Sequence, residues 1–310
     1  MGPATSERKK TIWDYTYRLL NLLMQKTEAG ASRTYGFEYE FLPETPPTPD
    51  CIDKLYVCLE KLGFAAKGKM FYNADGMGVT FEPGGQIEYH SIPLQADDDQ
   101  AFAATLDVIA DINKTIHNEC GINYLASDYI AGRDTAPLCL SASRYLKLHE
   151  RLARVDSRGL EMMKGTASIH LHAAICSLGE LPALFRCLQK LAETPDFRMS
   201  PARRDIWDHT DSCRCGMPYD PVEAHTTPRD VLSEFVRVAV DADVLGEDVP
   251  FLESSDTSFK SFKYHLTTIF TDIRLNLGSA TLELRTPDSV PADVFVEKWK
   301  GFVAAVEAGV

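Results

Sequence analysis

The sequence predicts an α+β fold in which helices pack against the apolar face of an antiparallel β-sheet. Two patterns carry this prediction: five short segments alternate strictly between polar and apolar residues, and six longer segments repeat apolar residues every three or four positions. With 310 residues and 45% hydrophobic content, the chain has enough apolar material for a sizeable core. Length alone allows one large domain or two ordinary ones.

The helical segments are identified by apolar spacing and by the residues that end it. An N-terminal helix over about residues 9–28 is expected because apolar residues from Ile12 to Leu23 recur every three or four positions. The proline-rich stretch at 43–50 predicts a loop, and Gly63 stops the helix that follows it. The remaining helices are expected at residues 52–62, 100–118, 142–154, 181–193 and 229–241.

The alternating segments are typical of strands with one polar and one apolar face. In the first segment, Glu38 and Glu40 share one face while Tyr39 lies on the other. The five strands can therefore form one sheet whose apolar back packs on the helices and whose front is polar. In chain order they are residues 35–41, 78–82, 86–91, 166–173 and 281–285.

The front of the predicted sheet is crowded with acids. Arg285 is the main basic residue expected there to offset their charge. The five carboxylates of this face are those of Glu38, Glu40, Glu82, Glu88 and Glu283. An ordinary half-exposed sheet also has a polar face, but like charges directly opposite each other destabilise it. Carboxylates in a low dielectric need cations, and oxygen ligands without clustered thiolates select Mg²⁺ or Mn²⁺ over zinc. We therefore expect divalent ions here, and expect Glu88→Gln or Glu283→Gln to maintain or raise the stability of the metal-free protein.

Three histidines share this front. His90 lies two residues beyond Glu88, and His170 and His172 form an H-x-H strand. A lone histidine on a strand is usually a half-exposed polar residue, and that interpretation stays open for His172. The ring of His90 either borders a substrate pocket or packs against a covering loop.

Composition excludes several classes of protein. The formal net charge of −13 would repel a phosphate backbone, so nucleic acid is not an expected partner. No apolar run approaches the roughly 20 residues that span a bilayer, and the first ten residues do not resemble a signal-peptide core, so we expect a cytoplasmic protein without a membrane partner. Its eight scattered cysteines are not a disulfide framework, and Cys213 and Cys215 are too close for the usual C-x-x-C metal spacing.

Six segments, in order and across most of the chain, resemble the glutamate–cysteine ligases of the plant and actinobacterial type. VTFEPGGQIEYHSIPL is very similar to their E-P-G-G-Q-x-E segment, and RRDIWDHTDSCRCG resembles their arginine-containing I-W-x-x-T-D-x-x-R loop. Each segment alone would be weak, whereas six in the same order indicate common ancestry. The other four are YGFEYEF, SRYLKLHERL, GLEMMKGTASIHLHA and YHLTTIFTDIRLNLGSATLELRTPDS.

The resemblance implies the catalytic fold that this family shares with glutamine synthetase and the phosphagen kinases. In that fold a curved antiparallel sheet holds ATP, metal ions and the acid substrate on its concave face. It implies a reaction in which the γ-phosphoryl group of ATP passes to a carboxylate and an amine attacks the acyl phosphate. It also implies a single catalytic domain over residues 1–310, with a C-terminus shorter than in family members.

The resemblance assigns roles to particular residues. Arg285 is expected to steady the transferring phosphate, with Glu283 as the second catalytic residue. The expected metal ligands, direct or through water, are Glu38, Glu40, Glu82, Glu88 and Glu283. Contacts to ATP or to a substrate carboxylate are expected from Arg203, Arg214, Gln86 and His170, and His170 is also a candidate metal ligand because glutamine synthetase has a similar H-x-H strand.

The chain departs from the family at its histidines, where family members carry amides in place of His170 and His172 and usually L-S-G in place of Tyr89-His90-Ser91. The nearest precedent is γ-glutamyl–cysteine synthesis, but a different amino acid or an amine of a secondary-metabolite pathway stays open. We expect small-molecule amino acid substrates and a monomer or homodimer. Two alternatives remain: a small-molecule kinase and a non-catalytic ligand-binding homologue of the same fold.

Overall fold

The computed structural model describes residues 3–28 and 30–310, without the side chains of residues 3–5 and 222. The helices are α1 (Pro3–Met24), α2 (Pro49–Lys61), α3 (Asp99–Cys120), α4 (Ser143–Val155), α5 (Gly159–Gly165), α6 (Leu181–Glu193), α7 (Pro201–Asp208), α8 (Pro228–Asp241), α9 (Phe259–Leu266) and α10 (Ala292–Gly309). None of the helices in this part of the chain combines the length and the apolar character needed to cross a membrane.

One large antiparallel sheet dominates the structure. The strands of the chain are β1 (Thr34–Pro43), β2 (Ala65–Lys67), β3 (Met70–Tyr72), β4 (Gly78–Phe81), β5 (Ile87–His90), β6 (Leu94–Gln95), β7 (Tyr124–Leu125), β8 (Ile169–Ala174), β9 (Cys215–Gly216), β10 (Phe270–Thr271), β11 (Ile273–Asn276) and β12 (Thr281–Leu284). The main path through the sheet is β11-β12-β8-β1-β5-β4-β3-β2, with β6 and β7 paired to the two ends of β1, while β9 and β10 form a separate parallel pair.

The five strands predicted from alternation are neighbours at the centre of this sheet, in the order β12-β8-β1-β5-β4. The prediction of an α+β fold built on one antiparallel sheet is therefore confirmed. Five of the six predicted helices agree with the structure to within about three residues at each end. The N-terminal helix differs, since it runs from Pro3 to Met24 instead of 9–28.

Helices cover the apolar back of the sheet, as expected. Phe37 of β1 packs edge-on against Phe102 of α3 and against Phe295 and Trp299 of α10. Phe102 and Trp299 stack on each other, with ring centroids 4.8 Å apart. Aromatic rings bury large areas, so this cluster fixes the two helices against the central strand. The polar face of β1 is consequently turned to the other side.

The sheet is strongly curved toward its polar face. Arg274 of β11 and Lys69, in the turn between β2 and β3, line the same cavity of about 490 Å³. These residues belong to opposite edges of the sheet, which seven spacings of ~4.8 Å would hold about 34 Å apart if it were flat. Arg274 lies on the polar face because its side chain contacts Glu283 there. The acidic face is therefore the concave one.

Candidate active site

Strand register places acids and bases of the concave face side by side. Glu38 of β1 is opposite His90 of β5 on one side and His170 of β8 on the other, so it has an imidazole at each flank. Glu40, two residues further along β1, is instead opposite Glu88. Acid–base neighbours in a sheet stabilise it, whereas like charges directly opposite each other do not.

A second row of charges runs across the other half of the sheet. His172 of β8 is opposite Glu283 of β12, which is opposite Arg274 of β11. The expectation that Arg285 is the main basic residue of the face is therefore wrong, because Arg274 and the imidazoles also offset the charge of the carboxylates. The sequence signal for Arg274 is the alternation Ile273-Arg274-Leu275-Asn276, a segment of only four residues.

Glu38 is the best-compensated carboxylate of β1. One of its oxygens lies 2.6 Å from Nδ1 of His170, and the other lies 3.5 Å from both Nδ1 of His90 and Nε2 of His172. Burial alone would raise the pKa of Glu38, but the hydrogen bonds from His170 and His90 and the charge of His172 lower it well below its usual value. Glu38 is therefore ionised.

Glu283 is fully buried yet also ionised. It accepts hydrogen bonds from Nε of Arg274 at 2.6 Å, from Nδ2 of Asn276 at 2.9 Å and from Nη1 of Arg285 at 3.2 Å. Burial would raise its pKa, but the neighbouring Arg274 guanidinium holds the pKa of Glu283 at about 2. This carboxylate is already paired within the protein.

Two carboxylates at the other end of the face, Glu40 and Glu82, have no such close cationic partner among the described residues. Burial, together with Glu88 and Glu40, raises the pKa of Glu82 to about 8. Burial and Glu88 also raise the pKa of Glu40, although His170 opposes this shift. Glu40 accepts hydrogen bonds from the Ser168 amide and hydroxyl groups, but these are neutral donors. Glu40 and Glu82 are therefore the carboxylates whose ionised form the protein compensates least. Glu88 differs, because His90, whose Nε2 lies 2.6 Å from Oε1 of Glu88, lowers the pKa of Glu88 against the effect of burial.

Three groups of side chains have the composition and spacing of metal sites. Each contains two carboxylates and one imidazole, whose ligand atoms lie within 4.8 Å of one another. The groups are Glu38, Glu88 and His90; Glu38, His172 and Glu283; and Glu40, Glu88 and His170. Glu82 belongs to none of these groups, so its expected role as a metal ligand stays a prediction.

Two buried imidazole atoms fit the presence of a cation. Among the described residues, Nε2 of His172 has no hydrogen-bond partner, and Nε2 of His90 lies 2.6 Å from Oε1 of Glu88 without hydrogen-bond geometry. A buried polar atom without a partner is destabilising unless a ligand satisfies it. His172 is only 8% exposed, so the interpretation of a half-exposed surface histidine is wrong. The donor set therefore suits divalent ions shared between neighbouring groups.

Two cavities open on the acidic face. The Glu82 cavity has a volume of about 100 Å³ and is lined by Glu82, Glu40, Ser168, His170 and Arg285. The His90 cavity, with a volume of about 240 Å³, is lined by His90, Glu38, His172, Asn276 and Thr281. The metal-like groups lie between the two cavities, so ligands in both can approach the same ions. The expected contact of Arg285 with a phosphate is compatible with its place in the Glu82 cavity.

Arg203 and Arg214 do not face this site. Both side chains are fully buried, and Arg203 donates hydrogen bonds to the backbone carbonyls of residues 285–287 and to Asp288 at 2.7 Å. Arg214 donates to Asp211 at 2.9 Å and to loop carbonyl groups. Neither lines the two cavities of the acidic face, and their hydrogen bonds hold loop backbone in place. Their expected contact with ATP or substrate stays a prediction.

Gln86 has a mainly structural place. Its Oε1 accepts a hydrogen bond from the Gly84 amide at 2.9 Å, and its Nε2 donates to the carbonyls of Met163 and Thr166 at 3.2 Å. These bonds hold the turn between β4 and β5 against α5. Gln86 also lines the Glu82 cavity, where its expected cofactor contact stays a prediction.

Comparison with known proteins supports the resemblance found in the sequence motifs. No protein-family model matches the chain. It is similar to proteins named "Glutamate--cysteine ligase, chloroplastic" from Solanum lycopersicum (27% identical over 245 residues), Arabidopsis thaliana (26% over 250) and Medicago truncatula (27% over 245). Each match covers 69% of this chain and 46% or 47% of the relative. The chain thus spans about half the length of these relatives.

These similarities support a glutamate–cysteine ligase-like chain without distinguishing a type within the family. The names of these relatives place them in the chloroplast, and the expected cytoplasmic location of this chain stays a prediction. The expected single domain over residues 1–310 and the expected oligomeric state also stay predictions.

Proposed function

We propose that the protein is an ATP-dependent carboxylate–amine ligase that forms an amide bond through an acyl phosphate, with γ-glutamyl–cysteine synthesis as the nearest precedent. The observation that carries the proposal is the pair of weakly compensated carboxylates, Glu40 and Glu82, beside three groups of metal-like ligands. Divalent ions bound between this face and a polyphosphate would supply the positive charge that both lack. The similarity to glutamate–cysteine ligases supports the same reaction class.

The reaction has two steps. An oxygen of the substrate carboxylate attacks the γ-phosphorus of ATP, the bond to the β-phosphate oxygen breaks, and ADP leaves. The amine nitrogen then attacks the acyl carbon, inorganic phosphate leaves, and the nitrogen loses a proton. Phosphoryl transfer depends chiefly on positioning and on neutralising charge. Arg285, whose guanidinium borders the Glu82 cavity, is placed to steady the transferring group.

Mg²⁺ or Mn²⁺, when bound, neutralises and orients the nucleotide phosphates. Glu38 and Glu88 would each take part in two of the three ligand groups, and His90, His170 and His172 would complete them. Their side chains come from the adjacent strands β5, β1 and β8, which the hydrogen-bonded ladder holds rigid. The residues therefore have a fixed geometry before any ligand arrives, as electrostatic preorganisation requires.

The test is ADP release measured across a panel of amino acids paired with amines, cysteine among them, with the product identified by mass. We expect ADP and an amide to form together, and only when acid and amine are both present. The variant Glu88→Gln, which keeps its shape but loses a ligand charge, should abolish turnover. ADP with a phosphorylated acid and no amide would instead identify a small-molecule kinase. No ADP with any pair would indicate a non-catalytic homologue.

A further inference from the structure

A third cavity, here called the basic cavity, lies at the mouth of the curved sheet. It has a volume of about 490 Å³, and its lining includes Lys69, Arg144, Lys263 and Arg274. Among its described lining residues there is no Asp or Glu. A lining of this kind is unusual in a chain with a formal net charge of −13, so the local field strongly favours an anion.

The basic cavity borders the acidic face at two places. Arg274 donates a hydrogen bond to Glu283 at 2.6 Å, which connects the cavity to the middle of the face. The backbone carbonyl of Lys69 accepts a hydrogen bond from Thr80, two residues before Glu82, so the cavity also lies near the other end of the face. An anion in this cavity would therefore lie alongside the carboxylates and any ions that they bind.

Two of these cations have no acidic partner among the described residues. Arg144, in the first turn of α4, donates to the carbonyl oxygen of Thr267 at 2.8 Å, a contact with a neutral group. Lys69 is placed by a tight turn that Gly68 enters with a φ of 68°, and its carbonyl accepts a hydrogen bond from Thr80 at 3.2 Å. Within the described residues, Lys69 forms no salt bridge.

We propose that the basic cavity binds the phosphate chain of ATP, with Lys69 as a nucleotide-binding residue that the hairpin of β2 and β3 carries to the opposite edge of the sheet. This inference rests on the proposed function. A triphosphate is the most highly charged of the reactants and is therefore the one that several converging cations favour most. Cations on one side and metal-bearing carboxylates on the other would hold the phosphates from both directions.

Isothermal titration calorimetry with Mg²⁺ present tests the inference on wild type and three variants, with ATP and with inorganic tripolyphosphate. Lys69→Met should raise Kd for both ligands by about 10-fold or more, because a hydrogen bond to a charged group is lost. Lys69→Arg should restore most of the affinity. Lys67→Met is the matched control, since Lys67 is exposed in the same hairpin and does not line the cavity, and it should change Kd by less than about 2-fold.

Equal Kd values for ATP in Lys69→Met and Lys67→Met would overturn the inference. So would a Lys69→Met variant that raises KM for the acid substrate while ATP affinity is unchanged, because the cavity would then hold that substrate. ADP release by the wild type separates these results from the proposed function. If phosphate binding depends on Lys69 but no acid–amine pair is turned over, the inference stands and the ligase proposal fails.

Discussion

The carboxylates of the concave face differ in how far the protein itself compensates their charge. Glu283 has Arg274 and Glu38 has His170 in direct contact, and burial does not prevent either from ionising. In the part of the chain that the structure describes, no cation contacts Glu82, so burial beside other acids raises the pKa of Glu82 to about 8. Substitutions at these positions should therefore affect the metal-free protein in opposite directions.

We expect Glu82→Gln to raise the free energy of unfolding at pH 8 in EDTA by about 1 kcal/mol or more, because it removes an uncompensated buried charge. Glu283→Gln should lower it by about 3 kcal/mol, because Arg274 loses its buried partner. This corrects the sequence-based expectation that Glu283→Gln maintains or raises stability, which was made without Arg274. Denaturant unfolding of both variants measures the difference.

The gain from Glu82→Gln should depend on pH. The pKa of Glu82 rises from an ordinary 4.5 to about 8 on folding, so the wild type loses stability as pH increases between these values, by at most about 1.4 kcal/mol per pH unit. The variant lacks this loss, so its advantage should be small at pH 4.5 and greatest near pH 8. An advantage independent of pH would contradict the assignment of a buried, uncompensated Glu82.

His90 is the residue at which the chain departs most clearly from its relatives within the site. Its ring contacts Glu88 and Glu38 and lines the His90 cavity, as expected of a residue that borders a substrate pocket. We expect His90→Ser to alter the ranking of amines by kcat/KM more than it alters the Kd of ATP, because the smaller side chain enlarges that cavity. Steady-state kinetics with several amines, including cysteine, measures the ranking. The exposed His117→Ser is the matched control, and an identical ranking in all three proteins would refute the idea.

At the scale of elements, alternation was sufficient for the central strands and insufficient for the edges. Each central strand has one apolar face on the helices and one polar face in the site, so its pattern is clear for four residues or more. Strands β2 and β3 have three residues each, and β2 is exposed along its length. Such strands form because neighbouring strands pair with them, and this pairing leaves no periodic pattern in the sequence.

Motif similarity likewise indicated where the family's arginines lie along the chain, but not what surrounds their side chains in the fold. The I-W loop lies behind Arg285, but the buried hydrogen bonds of Arg203 and Arg214 depend on carbonyl groups brought from distant parts of the chain. Apolar spacing also fails to show where helix α1 begins, because residues Ser6–Lys10 near its N-terminus are mostly exposed.

At the scale of the whole molecule, the curvature of the sheet places acidic and basic side chains in separate regions, whereas the sequence gives only their net charge. The net charge of −13 excluded nucleic acid as an expected partner, yet it concealed an acidic concave face bordered by a basic cavity. That arrangement forms only when the edge strands β11 and β2 approach each other across the face. It favours a ligand that is anionic and accompanied by cations, as a metal–nucleotide complex is.

The most direct test of this account is calorimetric titration of ATP into the protein in Mg²⁺ or Mn²⁺ and, separately, in EDTA. Without divalent ions the triphosphate meets the ionised carboxylates of the face, Glu38 and Glu88 among them, so repulsion should weaken binding. We predict a Kd that is at least about 100-fold lower with the metal than without it. The same affinity in both conditions would contradict a metal-bearing acidic face.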